Sequence, residues 1–296
     1  MCRCKLCGSN STHIEYEGII RDGGLGKYTK EPVKIYRCEN CLAMWHDEIL
    51  DNNSYYESAE YREALEGTTL EQDFYRFHDK DNLDKFLYTG TDIFRNKIIA
   101  DIGCGCGSFL DFVSGAANQV VAIEPSEIYR GVMQKKGYET YAYASEALEK
   151  WTDAIDVVTS FDVIEHVEKP DNYMKDVYKL LKEGGIGIIG TPTETPVMRS
   201  FLGEIYDREL LFSTQHLWVL GEKNLKMMAQ NAGFTNIKVK YFQRYGIDNF
   251  IGWIKEKKPK CNVDSKMITS TLNQVWKSEL EAKGLSDYIV IYLYKE

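Results

Sequence analysis

The run from Ile98 to Leu110, Ile-Ile-Ala-Asp-Ile-Gly-Cys-Gly-Cys-Gly-Ser-Phe-Leu, constrains this chain more than any other stretch. An apolar segment carries an acid, Asp101, and passes into a turn with glycine at positions 103, 105 and 107. Phe109, Leu110, Phe112 and Val113 then recur at helical spacing. The pattern predicts strand, tight turn, helix. Glycine at alternate positions lets the backbone approach a ligand closely and leaves the helix N-terminus facing it. A second apolar run, Gln119 to Ile123, ends at Glu124-Pro125-Ser126, with its acid 21 residues beyond Gly103. A carboxylate at that strand end is placed to accept hydrogen bonds from ribose hydroxyls. The turn departs from the dinucleotide fingerprint, because its third glycine follows the second by two residues.

Asp101-Ile-Gly-Cys-Gly-Cys-Gly107 followed by Glu124-Pro-Ser resembles the class I S-adenosylmethionine (SAM)-dependent methyltransferases. Phe161-Asp-Val-Ile-Glu-His-Val167 resembles that superfamily's fourth-strand signature in its small-molecule branch. The resemblance covers roughly residues 95–245. It implies that Asp101 helps hold the amino group of the methionine moiety, that Gly103, Cys104, Gly105 and Gly107 lie against that moiety, and that Glu124, with Pro125 beside it, holds the ribose. The adenine loop here reads Tyr143-Ala144-Ser145-Glu146 without the family's usual Asp. Ala144 and Ser145 are its candidates, through backbone and hydroxyl. Phe161 and Asp162 complete the implied cofactor pocket.

The surrounding periodicity alternates between strand and helix. Strands are predicted at 98–102, 119–124, 138–142, 155–161, 186–191, 236–242 and 288–294. Helices are predicted at 107–116, 126–136, 145–151, 171–182 and 222–232, with Gly184 expected just past the end of the fourth. That order predicts an α/β fold, a doubly wound Rossmann-like methyltransferase sheet, with a small N-terminal zinc ribbon and lid insertions.

The ribbon reading rests on Cys4-Lys-Leu-Cys7 and Cys38-Glu-Asn-Cys41. Two C-x-x-C pairs about 30 residues apart are a strong signal for a closed tetrahedral zinc site. Cys2 and His46 are the substitutes if one of the four is not a ligand. Four thiolates leave no position for a reactive water, so the expected zinc is structural. Two strands are expected within 16–37, joined by Asp22-Gly-Gly-Leu-Gly26. A module of 1–50 this small is expected to lack a core and to draw folding energy from the metal.

Residues 51–94 read as a helical cap or linker rich in aromatics and charge, including Tyr55, Tyr56, Tyr61, Arg62, Tyr75, Arg76 and His78. The methyltransferase domain proper is expected over 95–296, with insertions at 192–220 and 243–286 leaving the ligand-binding edge of the sheet. Tyr206 and Arg208 in the first, and Tyr245, Asn249 and Trp253 in the second, are the candidate acceptor-binding residues. The segment 243–253 resembles one found in bacterial methyltransferases with this ribbon, many linked to sugar, capsule or natural-product modification.

Methyl transfer is an in-line displacement in which the protein aligns the nucleophile, and an oxygen nucleophile benefits from a base. His166, just past the fourth strand, and His216, in the first insertion, are the candidates. Cys104 and Cys106 are the alternative thiol nucleophiles, although small residues are required at those turn positions.

The formal net charge of −9 argues against a generic partner for phosphate backbones or anionic membranes. The first 50 residues carry seven basic and seven acidic side chains, so the ribbon has no basic stripe for nucleic acid. No apolar run reaches a membrane span, and the Met1-Cys-Arg-Cys-Lys start lacks the core of a signal peptide, which predicts a cytoplasmic location. The expected function is SAM-dependent O-methylation of a small polar metabolite, a sugar or sugar-phosphate-like acceptor. Its rivals are an RNA base methyltransferase, which would show steep salt dependence of RNA binding, and a non-catalytic adaptor that only senses SAM, which would never turn SAM over.

Overall fold

The computed structural model describes residues 2–46, 56–58, 63, 66–259, 263 and 266–296. Tyr55, Tyr61 and Arg62 of the expected cap lie outside the described residues.

Three strands open the chain, β1 (Thr12–Gly18), β2 (Val33–Cys38) and β3 (Met44–His46), followed by the cap helix α1 (Glu71–Thr89). The alternating region contains β4 (Ile98–Ile102), α2 (Ser108–Ser114), β5 (Gln119–Ile123), α3 (Glu127–Lys135), β6 (Glu139–Tyr141), α4 (Ala144–Trp151), β7 (Ile155–Phe161), α5 (Pro170–Leu180) and β8 (Leu181–Pro192). Then come α6 (Pro196–Leu202), β9 (Trp218–Val219), α7 (Glu222–Ala232), β10 (Asn236–Phe242), α8 (Ile247–Glu256), α9 (Ser270–Ala282) and β11 (Tyr288–Tyr294).

Seven strands form one sheet in the order β10-β11-β8-β7-β4-β5-β6. Pairs β4–β5, β5–β6, β4–β7 and β7–β8 are parallel. Parallel strands covered on both faces read as unbroken apolar runs, and every residue of β7 is buried. The chain leaves β4 toward β5 and β6 on one side, then returns to β7 and β8 on the other. That reversal puts a topological switch point at the carboxyl end of β4, where such sheets bind ligands.

The helix expected to reach residue 182 stops at Leu180, and the chain is extended from Leu181. Ile155 pairs with Leu181 and Val157 with Ile186, so four residues bulge out of the ladder between them. Gly184 serves that bulge, with φ +73°, rather than a helix end. Lys295 Nζ donates to the Tyr178 and Leu181 carbonyls at 3.0 and 2.8 Å and thereby caps the helix terminus.

The described chain divides into two compact units. One comprises Met1–Leu50, Thr191–Met227 and Val239–Val290; the other comprises Asp51–Gly190, Met228–Lys238 and Ile291–Glu296. In the first unit, β1, β2 and β3 pair antiparallel in succession, and β9 adds to β3 through Met44–Val219 and Trp45–Trp218. The ribbon therefore has three strands of its own, and β1 begins at Thr12, ahead of the expected start. It also has a core. Ile20, Val33, Ile35 and Met44 pack with Leu202, Tyr206, Leu211, Phe212, Val219 and Trp253. The expectation of a coreless module fails because the apolar face of the ribbon is buried by residues more than 150 positions downstream. Among the described residues, no helix is long and apolar enough to cross a membrane.

Candidate active site

The second unit carries the glycine turn between β4 and α2. Gly103, Gly105 and Gly107 have φ of +75°, +55° and +80°, a region that side chains other than glycine adopt at a cost. Space demands glycine as well. A Cβ on Gly103 would lie 2.2 Å from Val163 Cγ2, and one on Gly105 would lie 2.4 Å from the Phe74 ring. Phe74 comes from α1, so the cap helix lies directly on the turn. Tyr75 donates its hydroxyl to the Cys106 carbonyl at 2.9 Å, and Ser108 donates to Asp79 at 2.7 Å.

Asp101 sits at the end of β4 and is 3% exposed. The Thr159 hydroxyl of neighbouring β7 donates to it at 2.7 Å. Burial pushes its carboxyl up to about 7, against the opposing pull of the Thr159 hydrogen bond and of the Lys85 charge. Glu124, equally buried, follows β5. Its two oxygens accept the Gly105 and Ser126 backbone N–H groups at 2.9 and 3.0 Å. Pro125 follows it, and Arg130 donates to the carbonyls of Glu124 and Pro125 at 2.8 and 2.5 Å. The turn thus places two buried carboxylates, one at each strand end, around a glycine cradle.

The remaining expected cofactor residues lie in the same unit. Ala144 and Ser145 open α4, and Ala144 is buried. Phe161 ends β7 and is buried. Asp162 follows with φ +58°, unusual for a side chain other than glycine, and accepts Lys85 Nζ at 2.7 Å. Lys85 also lies over the Phe161 ring at 5.4 Å. Sequence reasoning missed Lys85. It sits on a helix whose composition is charged nearly all round, and it is one of two lysines there. Cys104 is a neutral thiol: burial pushes its pKa well up, and its Sγ donates to the Ile123 carbonyl at 3.5 Å. Cys104 therefore falls as the thiol nucleophile, and Cys106 is fully buried.

His166 lies in a short 3₁₀ turn after β7. Its Nδ1 is 2.9 Å from the Tyr56 hydroxyl, and its Nε2 is 3.9 Å from the buried Glu165 carboxylate. Tyr56 was visible only as one aromatic in the cap.

The first unit holds the other candidates. His216 is half-buried, and its carbonyl accepts His46 Nε2 at 3.2 Å. Tyr206 and Trp253 lie in the ribbon's core, 4% and 2% exposed with rings 5.8 Å apart, rather than at a surface, because their large apolar rings are drawn out of water. Arg208 donates to Glu209 at 2.8 Å. Tyr245 is exposed, with the Arg244 guanidinium 5.8 Å from its ring. Asn249 starts α8, where its N–H reaches Asp248 at 2.8 Å.

In the ribbon, Sγ atoms of Cys4 and Cys41 lie 3.7 Å apart, and those of Cys7 and Cys38 lie 3.5 Å apart. All four sulfurs fall within 4.8 Å of one another. Zinc–sulfur bonds of about 2.3 Å in a tetrahedron put sulfurs about 3.8 Å apart, so the donor set fits zinc. Cys7 N–H and Cys41 N–H point at the sulfurs of Cys4 and Cys38, each at 3.5 Å. His46 is engaged with His216, and Cys2 with the Arg3 carbonyl, so neither substitute belongs to the cluster.

A glycine cradle flanked by two strand-end acids lies at the switch point of a doubly wound parallel sheet, where such folds bind their ligands, and the fold is that of the class I SAM-dependent methyltransferases. A family model described as a methyltransferase domain matches residues 72–239, more than half of the chain, and the chain belongs to that family. It is 30% identical over 155 residues to the ubiquinone biosynthesis O-methyltransferase of Ruegeria sp. (strain TM1040), covering 49% of this chain and 62% of that protein. It is 33% identical over 110 residues to the protein of the same name from Caulobacter vibrioides, covering 34% of this chain and 43% of the relative. The chain thus spans less than two thirds of the length of these relatives, 62% of one and 43% of the other. A SAM-dependent methyltransferase from Archaeoglobus fulgidus has the same fold, with a TM-score of 0.51 at 18% identity, covering 75% of this chain and 99% of that one.

Proposed function

We propose that this chain is a SAM-dependent O-methyltransferase acting on a small hydroxylated metabolite, a sugar or sugar-phosphate-like acceptor of a capsule or natural-product pathway. The observation that supports it most is Asp101. A desolvated carboxylate at the switch point, poised near neutrality, suits the ammonium group of a bound cofactor. Asp101 would hold that ammonium, Gly103, Cys104, Gly105 and Gly107 the methionine chain, Glu124 and Pro125 the ribose side, and Ala144, Ser145, Phe161 and Asp162 the adenine side and the pocket wall. SAM, when bound, supplies a methyl group on a sulfonium centre, and the protein's task is alignment and proton removal.

His166 is the preferred base, and His216 the second candidate. In the tautomer whose Nδ1–H donates to the Tyr56 oxygen, 2.9 Å away, Nε2 would be the basic nitrogen that takes the acceptor's hydroxyl proton. The curated relatives are named for O-methylation, which favours oxygen as the methylated atom. Arg208, Tyr245 and Asn249 are the proposed acceptor contacts. The four cysteines would hold a structural zinc.

The test is calorimetric titration with S-adenosylhomocysteine, followed by incubation with SAM and a panel of free, phosphorylated and nucleotide-linked sugars, read by mass spectrometry. Micromolar binding and one added methyl on a hydroxyl are expected. Absence of binding to folded, zinc-replete protein would overturn the proposal.

A further inference from the structure

The loop between β1 and β2 buries a cation that has no counter-ion among the described residues. Arg21 is 7% exposed. Its backbone is held on both sides, bridging Tyr28 antiparallel and Ser213 parallel. Its N–H reaches the Phe212 carbonyl at 3.3 Å, and its carbonyl accepts the Thr214 N–H at 3.0 Å. Residues paired directly across a bridge place their side chains on one face, so the guanidinium shares a face with Tyr28 and Ser213. Nη1 donates to the Gly23 carbonyl at 2.6 Å, while Nε is buried without a hydrogen-bond partner.

The acids nearby in the fold are committed elsewhere. Glu209 receives the Tyr28 hydroxyl and, at 2.8 Å, Arg208 Nε. Asp22 receives the Thr214 hydroxyl at 2.9 Å. Burial alone acts on the Arg21 pKa, pulling it down with no neighbouring charge to offset it. A guanidinium nonetheless stays protonated in proteins, and buried charges are otherwise paired or ligand-bound.

We propose that Arg21 is the anchor of an oxyanion site on the ribbon unit, taking a phosphoryl or carboxylate group of a small molecule. With Nη1 turned to Gly23, Nε–H is the buried donor left for an oxygen of a phosphate or carboxylate, groups that a guanidinium matches in shape and charge. Ser213, fully buried, lies on the same face. Its Oγ accepts the Gln215 N–H at 3.2 Å, which leaves its own O–H to donate. As the place where the acceptor's charged group docks, the site rests on the proposed transfer to a small anionic metabolite; as an oxyanion site it does not.

The experiment is a thermal-shift and calorimetric titration of the full, zinc-replete chain with inorganic phosphate and, separately, acetate, with and without S-adenosylhomocysteine. Wild-type protein, Arg21→Met and Arg21→Gln are compared. Phosphate is expected to raise the wild-type Tm and to bind at least about tenfold more weakly to both variants. Arg21→Met removes an uncompensated buried charge, so its Tm without phosphate is expected to equal or exceed that of the wild type. An equal response to acetate assigns the site to carboxylates; a response to phosphate alone assigns it to phosphoryl groups. No wild-type response to either anion, or an undiminished response in Arg21→Met or Arg21→Gln, overturns the proposal. So does a fall in Tm on Arg21→Met with phosphate binding retained, which marks Arg21 as structural. Failure of S-adenosylhomocysteine to bind while phosphate binding still depends on Arg21 breaks the methyltransferase reading and leaves the oxyanion site standing.

Discussion

Glu124 closes onto the turn that precedes it by a whole helix and strand: its Oε2 accepts the Gly105 N–H at 2.9 Å. The other oxygen takes Ser126 N–H at 3.0 Å, and the residue is 3% exposed. One carboxylate therefore ties the glycine turn to the end of β5. Glu124→Ala removes two charge-assisted bonds, each worth about 1.5–3 kcal/mol. A loss of about 3–6 kcal/mol is expected in urea melts, with at least about tenfold weaker S-adenosylhomocysteine binding. Wild-type stability in this variant would show that the turn is held by its glycines alone.

Asp101 carries a pH dependence whose sign follows from burial. Its carboxyl is raised to about 7 in the fold, against about 3.9 in an unfolded chain. The folded state therefore binds a proton that the unfolded state lacks between those values. Its contribution to stability is present below about pH 4, declines as pH rises to 7, and is absent above. Asp101→Asn is expected to be more stable than wild type at pH 8, by on the order of 2–4 kcal/mol, with the difference vanishing near pH 4. Cofactor binding, which needs the ionised form, is expected to weaken about tenfold from pH 8 to pH 6 and to release a proton. Calorimetry in buffers of different ionisation enthalpy measures that proton. A pH-independent affinity would remove Asp101 from the cofactor's ammonium.

What the sequence disclosed and what it withheld divide along physical lines. Parallel strands buried on both faces announce themselves as apolar runs, so β4, β5 and β7 were legible to within a residue or two. Paired C-x-x-C spacing carries its ligand geometry in the primary structure, and the four sulfurs converge. The turn's glycines were legible because positive φ and close approach admit nothing else. Tertiary pairing was not legible. Val219 joins Met44 across 175 positions through a strand two residues long, which no local pattern encodes. Trp253 resembles a ligand-stacking residue in sequence and is a core residue in the fold, for the same apolar surface. Lys85 acquires meaning only from Asp162, 77 positions away.

The cysteine cluster sets an expectation for metal removal. A structural zinc supplies on the order of 10 kcal/mol to an isolated finger peptide, but here the ribbon shares a core with Leu202, Phe212 and Trp253. Chelation is therefore expected to lower the Tm and expose four additional thiols to maleimide without unfolding the second unit. One zinc per chain by elemental analysis, falling in Cys38→Ser, checks the ligand set. Full stoichiometry in Cys38→Ser would remove that residue from it.

Tyr56 and His166 meet at 2.9 Å with rings 5.6 Å apart edge-on, a pairing that fixes which imidazole nitrogen faces outward from the phenol. If His166 is the base, its loss must act on chemistry and spare cofactor binding. His166→Gln is expected to lower kcat by about 10²–10⁴-fold, with S-adenosylhomocysteine affinity unchanged within about twofold, and to abolish the rise of kcat/KM with pH. Tyr56→Phe removes only the hydrogen bond at Nδ1, so a smaller loss is expected, about tenfold, with the pH profile displaced rather than lost. A merely structural histidine would instead lower Tm and leave the profile in place. In that event His216→Gln, assayed in the same way, becomes the decisive variant, because the proton must still leave the hydroxyl.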